Sequence, residues 1–254
     1  MDLPQNRFKA RLARGEVQLG LWSTIPDATA VEALAGAGFD WMVLDTEHSP
    51  TEVSAVLPLL QAMAPWPTAA VVRPWVNDTA LIKRHLDQGA QTLLLPYIQS
   101  RAEAEAAAAA VRYPPRGLRG VAGTMRAAGY GRVAGYHARA DAEICLLLQV
   151  ETALALSRLE EIATVDGVDG IFFGPADLSA SMGHPGQTGH PDVRAAILDA
   201  IARLTRLGVP AGILTQDAGF ARATIEAGAR FVALGVDMSL LVRAADALLG
   251  GFRP

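Results

Sequence analysis

Short apolar runs alternate along the chain with stretches in which apolar residues recur every three or four positions. Runs such as Trp41–Asp45 and Ala69–Arg73 have the length and the abrupt polar ends of buried strands. The stretches between them have the spacing of helices that pack one face on a core. This pattern predicts eight strands, at residues 19–25, 41–45, 69–73, 92–96, 144–151, 170–177, 211–215 and 231–235.

A helix is predicted behind each strand, and this alternation indicates a parallel sheet. The chain has 254 residues, the usual size of one closed (β/α)₈ TIM barrel, so we expect a single domain over residues 1–254. An open doubly wound sheet is the alternative, but the residues after the first strand, Ser23–Ala28, are not a glycine-rich phosphate loop. The predicted helices span residues 7–15, 27–35, 51–63, 78–88, 101–112, 152–165, 191–207, 217–227 and 238–249.

Two acids follow neighbouring strands of this predicted barrel. Glu151 ends the fifth strand, and Asp177 follows the sixth within Gly174–Ser179, which begins a short helix. Neighbouring parallel strands end at the same edge of a sheet, so both acids should emerge side by side. Two adjacent carboxylates after apolar runs are costly unless a cation lies between them. The hard oxygen donors suggest Mg²⁺ or Mn²⁺, although each acid can instead cap the helix that follows it.

Other polar side chains should lie at the same end of the barrel. Asp45 and His48 follow the second strand, and Arg73 ends the third. Gln149 is two residues before Glu151 and therefore on the same face of the strand. A histidine among acids can act as a general base, and an arginine after an apolar run needs an anion. The free amides of Ala176 and Asp177, at the start of the short helix, can bind a carboxylate.

The composition narrows the possible functions and partners. The net charge of −4 gives no electrostatic reason to expect a nucleic acid partner. The one cysteine, Cys145, lies in a predicted buried strand, where a core residue is the simpler interpretation than a nucleophile. We find neither a signal sequence nor an apolar run long enough to cross a bilayer, so we expect a cytoplasmic protein without membrane contact. Residues 113–140 form a long segment rich in Pro, Gly and Arg, which suggests a functional or assembly role.

Several of these motifs, taken together over nearly the whole chain, resemble the HpcH/HpaI family of class II pyruvate aldolases. Each motif alone is weak evidence, but the combination is specific. The motifs are Ala35-Gly-Ala-Gly-Phe-Asp-Trp41, Asp45-Thr-Glu-His48, Val71-Val-Arg-Pro74, Tyr113-Pro-Pro-Arg-Gly-Leu-Arg-Gly-Val121, Gln149-Val-Glu-Thr152 and Gly174-Pro-Ala-Asp-Leu-Ser179.

The resemblance implies a lyase that uses Mg²⁺, Mn²⁺ or Co²⁺, with Glu151 and Asp177 as ligands. The substrates would be 4-hydroxy-2-oxo acids, cleaved to or formed from pyruvate or hydroxypyruvate and an aldehyde through a metal-stabilised enolate. It also implies a homohexamer with the last helix exchanged between subunits. The implied roles are the general base for His48, enolate stabilisation for Arg73, acids that support the base for Asp87 and Asp45, and 2-oxo acid binding for Gln149 and the amides of Ala176 and Asp177.

Two other functions remain open at this point. An acyl-CoA lyase of the citryl or malyl type shares the metal chemistry, but it needs a groove for coenzyme A that we do not identify. A non-catalytic barrel that senses 2-oxo acids needs neither a base nor an arginine. A Schiff-base aldolase is disfavoured, because no lysine is predicted at the end of a strand.

Overall fold

Eight parallel strands form a closed barrel in the computed structural model, which describes residues 1–253. Each strand pairs with the next along the chain, and the eighth closes on the first. The prediction of a (β/α)₈ TIM barrel is therefore confirmed. The strands are β1 (Gln18–Ser23), β2 (Trp41–Asp45), β3 (Ala69–Arg73), β4 (Thr92–Leu95), β5 (Cys145–Val150), β6 (Gly170–Phe173), β7 (Ala211–Leu214) and β8 (Ala229–Val236).

Helices follow the strands and cover the outside of the barrel, and most begin within two residues of their predicted positions. Most N-termini are capped by a side chain, as at Asp27 and Asp78, which accept hydrogen bonds from backbone amides three residues later. The helices are α1 (Arg7–Ala13), α2 (Ala28–Ala35), α3 (Val53–Met63), α4 (Thr79–Asp87), α5 (Arg101–Val111), α6 (Tyr136–Glu143), α7 (Ala153–Ser157), α8 (Leu159–Ala163), α9 (Pro175–Ser181), α10 (Pro191–Leu207), α11 (Ala218–Ala227) and α12 (Asp237–Gly250).

The sixth strand ends at Phe173 and not at residue 177, because α9 begins at Pro175. Two further segments differ from the prediction. The helix expected at 152–165 is two short helices, α7 and α8, because Arg158 leaves the helical conformation and its amide bonds to Ala155. The segment 113–140 is not irregular throughout. It contains a 3₁₀ helix at Arg126–Ala128 and the start of α6. Neither feature has a strong apolar periodicity from which a sequence pattern could reveal it.

Aromatic side chains fill the inside of the barrel and close its amino-terminal end. Phe8 of α1 is fully buried, and its ring lies 5.8 Å from those of both Trp41 and Phe231 in edge-to-face geometry. Gly20 makes room for this layer, since a Cβ at that position would overlap the Trp41 ring. Cys145 is fully buried in the same cluster, and burial raises the pKa of its thiol well above the usual value. The inside of the barrel is thus a packed core, and only its carboxyl-terminal end is open to carry a site.

The register of the strands determines which residues meet at that end. Asp45 pairs with Arg73 across β2 and β3, and Val150 pairs with Phe173 across β5 and β6. The polar residues that follow these strands are therefore neighbours. Among residues 1–253, no helix has both the length and the apolar character needed to span a lipid bilayer.

Candidate active site

A buried ion pair joins the carboxyl-terminal ends of β2 and β3. Arg73 donates from Nε to Asp45 Oδ1 over 2.9 Å and from Nη2 to Asp45 Oδ2 over 2.7 Å. Both side chains are almost fully buried, at 6% and 1% exposure. Burial alone would raise the pKa of Asp45, but the bonds to Arg73 and its charge outweigh this effect and lower it. Asp45 is therefore a permanent anion that holds the guanidinium in place.

Three neighbours complete the environment of this pair. Trp22 donates from Nε1 to Asp45 Oδ2 over 3.1 Å, and the centre of its ring lies 4.8 Å from the Arg73 guanidinium carbon. The Thr46 hydroxyl donates to the backbone carbonyl of Arg73 over 2.7 Å. Glu47 Oε2 lies 2.6 Å from Arg73 Nη1, so one arginine contacts two carboxylates. N–H groups on Nη1 and Nη2 remain for a third acceptor.

Glu151 is a buried carboxylate that forms no ion pair with a basic side chain among residues 1–253. Its Oε1 accepts a hydrogen bond from the Tyr97 amide over 2.8 Å, and Tyr97 is held at a positive φ of 56°. Burial raises the pKa of Glu151 to about 7, although the Tyr97 amide acts against the shift. The negative charges of Glu47 and Asp177 add to this increase. The site thus holds more carboxylates than the single positive charge of Arg73 can neutralise.

Gln149 lies directly beside Glu151. Its Nε2 donates to Glu151 Oε2 over 2.5 Å, while its buried Oε1 has no hydrogen-bond partner in the described part of the chain. Gly174 allows this close packing, because a Cβ there would overlap the Glu151 carboxylate and crowd the Gln149 amide. An unpaired buried carbonyl oxygen costs about 1–3 kcal/mol, which a bound ligand or cation can recover.

The remaining predicted residues lie on exposed segments at the same end. Asp177 and Ala176 are exposed in the first turn of α9, where backbone amides have no acceptor within the helix. His48 is exposed on the segment after β2, and its ring forms no hydrogen bond within residues 1–253. The backbone amides of Glu47 and His48 bond to Asp45 Oδ1 over 2.9 and 3.4 Å, which holds this segment beside Arg73. The structure therefore gathers these residues around Glu151 and Arg73.

Asp87 is the exception among the predicted site residues. It is the last residue of α4, which leads away from the end of β3, and its Oδ1 accepts a 2.9 Å hydrogen bond from Arg119. Arg119 is fully buried and packs over the Tyr113 ring at 4.5 Å. In the described part of the chain, no hydrogen bond or ion pair joins Asp87 to His48. Its role beside the histidine stays a prediction.

Three contributors to the site were not singled out from the sequence. Glu47 belongs to the predicted Asp45–His48 cluster, and its position two residues after a paired aspartate was a usable signal. Trp22 lies near the end of β1, and an apolar residue in a buried strand gives no sign that its ring contacts Asp45 and Arg73. The Tyr97 amide could not have been found, because a positive φ at a tyrosine leaves no mark in the sequence.

The chain is similar to known proteins over most of its length. The HpcH/HpaI aldolase/citrate lyase profile matches residues 18–244. The chain is 59% identical over 252 residues to a pyruvate aldolase from Rhizobium etli, covering 99% of both chains. It is 57% identical over 245 residues to a hydroxypyruvate/pyruvate aldolase from Sagittula stellata, covering 96% of this chain and 97% of that one.

A solved structure of this family is also similar to the chain. A crystal structure of a protein of this family from Burkholderia cenocepacia superposes with a TM-score of 0.94 at 40% identity, covering 98% of this chain and 100% of the other. The chain therefore belongs to the HpcH/HpaI aldolase/citrate lyase family.

The substitution Asp45→Asn tests the buried pair. It leaves a buried arginine with one fewer anion, which should cost about 3–5 kcal/mol of unfolding free energy. Glu105→Gln is the matched control, since it removes a carboxylate from an exposed pair with Arg101 and should cost less than about 0.5 kcal/mol. Urea unfolding at fixed protein concentration measures both. Equal losses in the two variants would show that the Asp45–Arg73 pair does not hold this end of the barrel together.

Proposed function

We propose that this chain is a divalent-metal-dependent pyruvate aldolase. It would cleave and form 4-hydroxy-2-oxo acids, with pyruvate or hydroxypyruvate as one partner and an aldehyde as the other. The observation that carries the proposal is the buried Glu151 carboxylate, which lacks a cationic partner and has Asp177 and Glu47 nearby. The similarity to aldolases named for pyruvate and hydroxypyruvate supports the choice of substrate.

The donor atoms at this end of the barrel fit a hard divalent cation such as Mg²⁺, Mn²⁺ or Co²⁺. Glu151 and Asp177 would hold it, and all the nearby candidate donors are oxygens, including the unpaired Oε1 of Gln149. When bound, the ion would act as a Lewis acid on the keto oxygen of the substrate. Without the cation, Glu151 and the acids beside it would repel an anionic substrate. The proposed site therefore needs the cation to bind a 2-oxo acid.

The chain's own groups supply binding and proton transfer. The free amides of Ala176 and Asp177 would bind the substrate carboxylate, and Gln149 would orient it. His48 would take a proton from the methyl or hydroxymethyl carbon next to the carbonyl. Arg73 would donate its remaining N–H groups to the enolate oxygen that forms, while Asp45 keeps the guanidinium fixed. In the cleavage direction, the same histidine would take the proton of the C4 hydroxyl group.

Exchange of the pyruvate methyl protons in deuterated water tests this function. Exchange should be fast with saturating Mn²⁺ and absent with EDTA. His48→Ala should slow the exchange about 10²–10⁴-fold with Mn²⁺ still saturating, because the general base is lost. Proton NMR of the methyl signal measures the rates.

His137→Ala is the control for a histidine outside the site, since His137 packs against Tyr113 and Tyr136 and should leave the rate unchanged. Full exchange in His48→Ala would remove the base assignment. A protein that binds pyruvate but shows no metal-dependent exchange would be a sensor and not an aldolase.

The pKa of Glu151 predicts how metal binding depends on pH. Below a pKa of about 7 the carboxyl group holds a proton that the cation must displace. One competing proton should weaken Mn²⁺ binding about tenfold between about pH 8 and pH 6. Glu47→Gln removes a charge that raises this pKa, so it should move the midpoint of the affinity curve to lower pH. Titration followed by Mn²⁺ electron paramagnetic resonance gives the affinities, and a flat profile over this range would contradict the prediction.

We also propose that the protein is a homohexamer in which α12 is exchanged between subunits. In a barrel of this kind the last helix should cover β8 and β1, yet Leu19 and Leu234 on the outer faces of these strands are exposed. The apolar side chains of α12 are exposed as well, including Leu241 at 58% and Leu248 at 71%. Both surfaces would be covered if α12 packed on a second copy of the chain.

Light scattering of the purified chain should therefore give the mass of six copies. Leu241→Glu should lower this mass by placing a charge in the exchanged contact, whereas the same change at exposed Leu118 in the long loop should not. A monomer at micromolar concentration would contradict the exchange. The role predicted for Asp87 beside His48 would also require assembly, since Asp87 does not contact His48 within residues 1–253.

A further inference from the structure

We propose that His184, His190 and Asp192 form a second metal site, separate from the carboxylates of the active site and suited to a transition-metal ion. His184 and His190 lie on the segment between α9 and α10, and Asp192 lies in the first turn of α10. One ligand atom from each lies within 4.8 Å of the other two. Within residues 1–253, this is the one group of three or more histidine, cysteine or acidic residues with such proximity.

The distances are close to those that a bound ion requires. His184 Nε2 and His190 Nδ1 each lie 3.8 Å from Asp192 Oδ2. Donors at about 2.0–2.2 Å from a tetrahedral ion are separated from one another by roughly 3.4 Å. Binding would shorten these two distances by about half an ångström. It would also turn the two rings out of their stacked arrangement, because an ion lies near the plane of each imidazole that binds it.

Local contacts keep the two histidines close together. The two imidazole rings are stacked with centroids 3.6 Å apart and planes 13° from parallel. The backbone amide of His184 bonds to the Ser179 carbonyl over 2.7 Å, which ties the segment back to α9. The site is thus built from two partly buried histidines, with side-chain exposures of 26% and 27%, and one exposed acid.

Helix capping is the competing role for these residues. His190 Nδ1 accepts a hydrogen bond from the Asp192 amide at the start of α10, but this bond is long at 3.3 Å. Capping uses the Nδ1 atom of His190, so an ion bound at that atom would replace the capping bond. Capping explains neither the second histidine nor the orientation of the aspartate towards both. Asp192 forms no ion pair with a lysine or arginine in the described part of the chain. The nearby Arg194 is instead paired with Asp217.

The donor set determines which ions this site should prefer. Two imidazole nitrogens and one carboxylate favour Zn²⁺, Co²⁺, Ni²⁺ or Cu²⁺ over Mg²⁺, which takes oxygen ligands. The exposure of Asp192 leaves a coordination position for water. An ion bound here would link the end of α9, which carries Asp177 in its first turn, to the start of α10. The site would therefore add a structural constraint next to the active site without taking part in its chemistry.

Zinc binding to the full-length protein tests the site. The variant Glu151→Gln removes a proposed ligand of the active site, so the two sites can be counted separately. Equilibrium dialysis with micromolar Zn²⁺ and millimolar Mg²⁺ should leave one Zn²⁺ per chain on Glu151→Gln. Adding His184→Ala or His190→Ala should weaken this binding at least about 100-fold, the upper end of the cost of losing a supporting group around a metal. Adding His137→Ala should leave it unchanged.

Thermal unfolding provides a second measurement that does not depend on the active site. Saturating Zn²⁺ should raise the melting temperature of Glu151→Gln, because the ion binds the folded state, and should not raise that of the variant that also carries His184→Ala. Without zinc, equal melting temperatures would show that His184→Ala folds normally. Unchanged zinc binding after loss of either histidine, or no zinc bound to Glu151→Gln, would overturn the proposal, whatever the aldolase assay shows.

Discussion

The open end of this barrel depends on the bidentate ion pair between Asp45 and Arg73. The pair is formed by the last residues of two adjacent strands, which the register of β2 and β3 places side by side. An arginine buried in this way is tolerated because its charge is matched by the carboxylates of Asp45 and Glu47. Trp22 contacts both members of the pair from inside the barrel, so the core and the site share one boundary.

The balance of charge around this pair gives the site its character. Asp45 neutralises Arg73, which leaves Glu47 with a shared contact and Glu151 with none. Burial of Glu151 among like charges raises its pKa to about 7, so near neutral pH the carboxylate is divided between two protonation states. A proton or a divalent cation would relieve this repulsion, and the proposed function requires the cation.

Much of this arrangement was predictable, because the decisive residues come directly after apolar strands. The positions of Asp45, Arg73 and Glu151 followed from the rule that parallel strands end at one side of the barrel. The Tyr97 amide depends on an unusual backbone conformation, and the break at Arg158 depends on local capping. Neither feature changes the hydrophobic pattern, so the pattern could not predict them.

Contacts with distant segments or with other copies of the chain could not be predicted from the sequence pattern either. Asp87 was assigned a role by resemblance alone, and in one chain its carboxylate bonds to Arg119 and not to His48. The exposed apolar face of α12 likewise acquires a meaning only if several copies assemble. A sequence pattern describes one chain at a time, and it cannot show where a second chain completes a surface.

The central claim is that Glu151 and Asp177 hold the cation to which a 2-oxo acid binds. Crystals grown with Mn²⁺ and pyruvate test it most directly, through the anomalous scattering of manganese. We expect one strong peak in bonding contact with carboxylate oxygens of Glu151 and Asp177, with the pyruvate carboxylate and keto oxygens completing the same coordination sphere. Manganese bound elsewhere, or pyruvate bound out of contact with it, would contradict the account.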